Sequence, residues 1–264
     1  MTQQPEQTNQ APTMPDEPQQ EILDIVYQDE HLVAIQKPAG LLVHKSPIDR
    51  HEKRYAMKIL RNQIRQWVYP VHRLDKPTSG LLLFTLDKDT ARHVSQQFEQ
   101  QLISKEYLAV VRGFTPPKGI IDYPLNEIAV FKHLEKNVEQ KEAKESITHY
   151  QTLKQYILPY SDGHFESCRY SLVKLFPKTG RKHQIRRHLK HISHPIVGDV
   201  KHGRGEHNRL FKIHMDSHRL LLAAQTMTLT HPITNERLHI ECPLEDNLRQ
   251  LLDRLAPYQT EFTQ

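Results

Sequence analysis

Short apolar runs separated by turn residues open the chain. Ile22 to Tyr27 and Leu32 to Gln36 read as two strands joined by a turn at Asp29–His31, and Lys37-Pro38-Ala39-Gly40 ends the second. From Arg54 to Trp67 the period changes. Met57, Leu60, Ile64 and Trp67 recur at helical spacing and predict a helix with those residues facing a core. Arg54, Lys58, Arg61 and Arg65 share a second face, which is either simply solvated or set against phosphate. Asp89 to Ser104 predicts another helix, with Ala91, Val94, Phe98 and Leu102 inward and Asp87 or Asp89 as its N-cap.

Beyond it, Tyr107–Val111, His149–Tyr156, Arg169–Phe176, Leu220–Thr230 and Arg237–Glu241 read as strands. The stretch from Lys132 to Ser146 alternates charge signs with few apolar anchors, which predicts an exposed loop or loose surface helix. Residues 1–20 are Gln- and Pro-rich with almost no large apolar side chains and are expected to be a disordered tail, leaving 21–264 as one domain. Strands outnumber helices and do not alternate with them, so the expected class is α+β.

Composition narrows the functional classes. No apolar run is long enough to cross a bilayer, and the first twenty residues lack the basic and apolar regions of a signal peptide, so a cytoplasmic protein without a membrane partner is expected. Cys168 and Cys242 stand far apart with no CxxC, which argues against a disulfide framework or zinc ribbon and for two reduced thiols. Lys and Arg outnumber Asp and Glu by 36 to 31, a net charge of +5, which favours a polyanionic partner such as nucleic acid. No glycine-rich phosphate loop is present.

Three constellations carry candidate chemistry. His72-Arg73-Leu74-Asp75-Lys76-Pro77-Thr78-Ser79-Gly80 runs straight into the apolar Leu81–Thr85. A carboxylate between two cations, in a turn feeding a buried strand, needs cations or donors to stay ionised. Capping of the turn by Asp75 is the structural alternative. Lys178-Thr179-Gly180-Arg181-Lys182-His183-Gln184-Ile185-Arg186-Arg187-His188-Leu189 reads as a turn at Gly180 followed by a helix. On it Ile185, Leu189 and Ile192 face inward, and Lys182, Arg186 and Lys190 face outward. Cations at a helix start suit phosphate binding, though a plain basic amphipathic helix has the same pattern. Arg181 precedes the helix, where a guanidinium can pair with a carboxylate. Lys105-Glu106-Tyr107, between a helix and a strand, says little alone.

Together these segments resemble the RluA family of pseudouridine synthases. Lys37 to His44 is similar to its first motif, His72 to Gly80 to its HRLDxxTSG, Lys105–Tyr107 to its KxY, Thr179 to Leu189 to its TGRxHQIRxHL and His194 to Asp199 to its HPIxGD. The likeness runs from Ile22 into the last fifty residues and is greatest to tRNA-directed members. It implies a pseudouridine synthase fold, a mixed and mainly antiparallel sheet with flanking helices and a cleft across its middle. It implies an isomerase acting on the uridine at position 65 in the tRNA T-stem, or alternatively on rRNA, as a monomer with no cofactor, metal or required protein partner. Asp75 would be the catalytic carboxylate, Arg181 its ion-pair partner, and Tyr107 the ring against the uracil, with a role in the final proton loss. Arg73 would enter the RNA stack and Ile185 would wall the base pocket, unless it is simply core. His72, Thr78, Lys105, Lys182 and Arg186 complete the expected substrate contacts. Whether Asp75 attacks directly or abstracts a ribose proton stays open.

Three other readings compete. A non-catalytic RNA-binding protein would lack the carboxylate or its arginine, and both are present. His183, His188, His191, His194 and His202 crowd one region, as a metal site would, but no HExxH or acidic ligand pair accompanies them. A kinase catalytic loop would need a glycine-rich loop and DFG, which are missing.

Overall fold

The computed structural model describes residues 21–45, 51–126 and 142–262. The expected tail at 1–20 and most of the charge-alternating stretch from Lys132 lie outside them.

The elements run β1 (Ile25–Gln28), β2 (Leu32–Lys37), α1 (Ala56–Ile64), β3 (Tyr69–Pro70), β4 (Ser79–Thr85), α2 (Lys88–Glu99), β5 (Ser104–Arg112), β6 (Lys118–Asp122), β7 (Ile147–Leu158) and β8 (Cys168–Pro177). They continue through α3 (Gln184–His191), α4 (Gly205–His214), β9 (Leu222–Thr230), β10 (Arg237–Glu241), α5 (Asp246–Leu255) and β11 (Gln259–Thr260). Among the described residues the strands form one sheet in the order β1-β2-β4-β9-β5-β8-β7-β11, with β3 beside β4, β6 beside β7 and β10 beside β9. The α+β expectation holds.

Every strand pair is antiparallel except β4 with β9, which touch only through Ser79–Ala223 and Gly80–Ala224. This short parallel contact is a seam between two cores. On one side β2, β4, α1 and α2 bury Val33, Ile35, Leu60, Phe84 and Val94, and on the other β5, β7, β8, α3 and α5 bury Val111, Tyr156, Val173, Leu189 and Leu251. Tyr107 packs against both. β4 is buried along its whole length, as a continuous apolar run in a central strand requires. Gly80 sits at the seam with φ +99°, and a Cβ there would lie 2.0 Å from the Ala224 carbonyl oxygen, so only glycine lets the two strands meet.

The first two expected helices form but stop early. α1 ends where Arg65 turns left-handed (φ 55°), so Trp67 is not on the core stripe but 65% exposed, with the Arg61 guanidinium 5.0 Å from its ring centre. α2 is capped by Asp87, whose carboxylate accepts from Thr90 N at 2.8 Å, and it ends before Gln101 (φ 59°). Leu102 is therefore exposed rather than inward. α4 and α5 were not expected.

Candidate active site

The loop from His72 to Thr78 enters β4 at the seam and forms one wall of a cleft of about 410 Å³. The start of β5 and the β8–α3 turn supply the others, through Lys105, Tyr107, Arg181, Ile185 and Arg186. Three sequence segments thus meet where the two cores part. Lys182 alone of the expected site residues is not part of the lining.

Several contacts fix the loop. Thr78 N donates to the Asp75 carbonyl at 3.0 Å, and Gly40 N donates to the Lys76 carbonyl at 2.8 Å. His72 Nε2 accepts from Leu83 N at 2.9 Å while its ring stacks on Phe98. Burial, with the Lys105 charge nearby, pushes the His72 imidazole down to about 3, so it serves as a neutral acceptor that pins the loop to β4. Beneath it the fully buried Lys37 Nζ donates to the carbonyls of Pro38, Leu41 and Lys76 at 2.8, 2.8 and 3.2 Å. Burial lowers this ammonium to about 7, against the raising effect of Glu245 and Asp75.

The ion pair at Asp75 differs from the expected one. Asp75 Oδ2 accepts from Arg186 Nη1 at 2.9 Å, whereas Arg181 is exposed and its Nε donates to the Glu145 carbonyl at 3.2 Å. Arg186 is also not on an outward face but 5% exposed. The cause is local. His183 adopts φ 54° before α3, so the helix starts at Gln184 and turns Arg186 toward the cleft floor. Gln184 locks this start. Its Oε1 accepts from Thr179 Oγ1 and Arg181 N, and its Nε2 donates to the Ile147 carbonyl and Thr148 Oγ1.

Arg186 is itself held from behind by Asp199, through Nε to Oδ2 at 2.7 Å and Nη2 to Oδ1 at 2.8 Å. Side-chain exposures of 6% for Arg186 and 0% for Asp199, against 17% for Asp75, leave Asp75 as the member that faces the cleft. Burial works against the Arg186 charge, but hydrogen bonds and charges from Asp199 and Asp75 outweigh it and hold the guanidinium above its ordinary value. Burial likewise opposes the Asp199 charge, and Arg186 with the amides of His202 and Lys201 overcomes it, so that carboxyl is held low. Asp75 therefore faces a permanent cation.

Around it the site is basic. His183 Nε2 lies 3.9 Å from Asp75 Oδ1, too far for a hydrogen bond, and its Nδ1 meets His202 Nε2 at 2.9 Å. Burial lowers His183 to about 4 despite the Asp75 charge. Burial, and then the Asp75 charge, hold the Tyr107 phenol well above its usual value, so it keeps its proton at neutral pH. Burial also lowers Lys105, whose Nζ lies 5.7 Å from the Phe98 ring centre. Thr78 and Ile185 are buried in the wall, Ile185 also belonging to the core beneath α3. Arg73 is exposed at the rim. A carboxylate paired with a buried guanidinium, a protonated phenol, an apolar wall and an exposed guanidinium suit chemistry on a planar base drawn out of a polyanion.

The histidine-rich region does not gather into one cluster. His188 bonds Thr148 Oγ1 and the Tyr123 carbonyl, His191 stacks on Tyr123, and His194 bonds the Arg112 carbonyl. Among the described residues, Asp162, Cys168 and His207 have ligand atoms within 4.8 Å of one another, at the far end of β8. His207 is already engaged there, its Nε2 accepting from Arg112 Nε at 2.8 Å and its Nδ1 bonded to Tyr170 Oη at 2.8 Å. A cation would have to displace a guanidinium, so these residues fit a metal poorly.

Two residues escaped the sequence reading. Asp199 stands in the HPIVGD segment but was given no role, and its position straight after Gly198 was the available signal. Lys37 ends a strand and opens the first motif, and neither reading gives it a role in holding the loop.

Comparison with known proteins supplies the family. A family model described as RNA pseudouridylate synthase matches residues 31–191. The tRNA pseudouridine synthase C of Vibrio parahaemolyticus is 48% identical over 233 residues, 88% of this chain and 94% of that protein. The protein of the same name from Haemophilus influenzae is 47% identical, over 89% of this chain and 98% of its own length. The solved structure of human RNA pseudouridylate synthase domain containing 1 has the same fold, with a TM-score of 0.69 at 24% identity over 94% of this chain and 93% of its own. That of domain containing 4 gives 0.65 at 28% identity, over 88% and 93%.

Proposed function

The chain belongs to the RNA pseudouridylate synthase family, and from that premise we propose that it isomerises a uridine of tRNA to pseudouridine, the uridine being that at position 65 of the T-stem. The observation that carries this reading is the Asp75–Arg186 pair on the floor of a cleft lined by three of the motif segments. The relatives' names support tRNA as the substrate.

A base paired in an A-form stem hides its glycosidic bond, so the uridine must first leave the stack. Arg73, exposed at the rim, is placed to take the vacated space, while the uracil ring lies between Tyr107 and Ile185. Arg186 orients Asp75 through its Nη1 bond to Oδ2. The carboxylate then either adds to C1′, to be displaced again when C5 attacks, or removes the C2′ proton to give a glycal and returns it to C2′ on rejoining. In both routes the C1′–N1 bond breaks and the uracil rotates. A C1′–C5 bond forms, the C5 proton leaves and N1 gains one, so no oxidant or energy source is consumed. Because the Tyr107 phenol stays protonated, it serves as a donor or relay at the ring rather than as a resident base.

The test is to incubate unmodified tRNA with the protein and map pseudouridine by carbodiimide adducts that stop reverse transcriptase. A stop at position 65 supports the whole reading. A stop elsewhere in tRNA overturns the position, and stops only in rRNA overturn the substrate.

A further inference from the structure

Asp199 anchors a loop as well as Arg186. Its Oδ1 accepts the backbone N–H groups of Lys201 and His202, both at 2.9 Å. Its carbonyl accepts from Gly203 N at 2.9 Å and from Asn208 Nδ2 at 3.1 Å, and Gly198 N donates to Asn208 Oδ1 at 2.8 Å. Glycine is required at both ends. Gly198 has φ +80° and a Cβ there would lie 1.8 Å from the Arg219 carbonyl oxygen, while one on Gly203 would lie 2.2 Å from that of Asp199. Residues 198–204 are thus a stiff loop, joined to the cleft wall through the His202–His183 bond.

At its tip Val200 is 96% exposed, the most exposed of the large hydrophobic side chains among the described residues. A valine held out in water by a rigid loop contributes nothing to this chain's own core. Lys201 beside it is exposed, and its charge reaches both Lys182 and His183. The Arg73 charge reaches Lys182 from the Asp75 loop. Cations on three separate segments therefore converge around the cleft rim, a field that draws a phosphate backbone. The loop tip is linked to Asp75 through two ionic contacts, both made by Arg186, so their spacing is fixed.

We propose that the 198–204 loop is a substrate-positioning element, in which Lys201 contacts a backbone phosphate next to the extracted uridine and Val200 packs on the neighbouring ribose or base. This rests on the tRNA-isomerase reading, because its occupant is an RNA strand. Asp199 then sets the register between that contact and Asp75.

The experiment compares wild type, Lys201→Ala and Val200→Ser in the full chain, by steady-state kinetics on an unmodified tRNA transcript at several KCl concentrations and by thermal unfolding. Lys201→Ala is expected to raise KM several-fold and to reduce the slope of its salt dependence by about one, as for a lost phosphate contact. Val200→Ser is expected to lower kcat/KM with the salt slope unchanged. Neither should shift Tm. Variants that match wild type overturn the inference and leave the isomerase reading standing. Lost turnover with a lowered Tm also overturns it, by giving the loop a folding role. A wild type inactive on every RNA tried removes the isomerase reading and this inference together.

Discussion

Arg186 and Asp199 form a two-pronged ion pair, at 2.7 and 2.8 Å, buried directly behind the carboxylate of Asp75. The guanidinium that faces the cleft floor is therefore positioned from the rear, with only its third nitrogen left for Asp75. Such an arrangement aims a carboxylate without filling the space in front of it.

Removing Arg186 should be far more damaging than removing Arg181. Arg186→Ala strands two carboxylates, one fully buried, at a cost of about 3–5 kcal/mol. Arg181→Ala removes an exposed side chain and should stay within about 0.5 kcal/mol of wild type. Urea unfolding of both variants checks the order, and equal stabilities would contradict the observed pairing.

Tyr107→Phe keeps the ring that packs against both cores and loses only the hydroxyl. We predict a fall in kcat of roughly 10²-fold with little change in KM or Tm, as expected when a proton-handling group is removed. Full activity in single-turnover assays would reduce Tyr107 to a packing surface.

Acid should destabilise the protein through His72. Its folded value, about 3, lies below the ordinary 6.5, so between those pH values the unfolded chain binds the proton and the folded chain does not. Stability then falls as pH drops from 6.5, and His183, lowered to about 4, adds to the loss in the same direction. In His72→Gln the amide oxygen can still accept from Leu83 N without titrating. Tm measured from pH 7.5 to 4.5 should drop less steeply in that variant, and parallel curves would contradict the assignment.

Gly80→Ala places a Cβ against the Ala224 backbone at a positive φ. We expect a loss on the order of 3 kcal/mol or failure to fold. Calorimetry showing a near-wild-type Tm would mean that the β4–β9 seam gives way more easily than its geometry indicates.

How much of this was legible in sequence depended on range. Asp75, Thr78, Tyr107 and Ile185 are legible as candidates because the ordered segments that hold them resemble one family's motifs together, and the fold brings those segments to one cleft. The identity of the arginine was not legible. It depends on His183 turning left-handed, which decides where α3 begins and which cation points inward. Trp67 and Leu102 were misplaced for a similar reason, because left-handed residues at Arg65 and Gln101 stop the helices before the apolar stripe runs out. α5 is legible from Leu248, Leu251 and Leu255, which recur at helical spacing and are buried. α4 hides its core face, since His207 is buried there beside Leu210 and Phe211.

The central claim is that Asp75 performs uridine isomerisation, and tritium release from tRNA labelled at uracil C5 tests it most directly. The prediction is stoichiometric release by wild type and none by Asp75→Asn, with both proteins folded and binding tRNA alike. Release by the Asn variant at a rate close to that of wild type would contradict it.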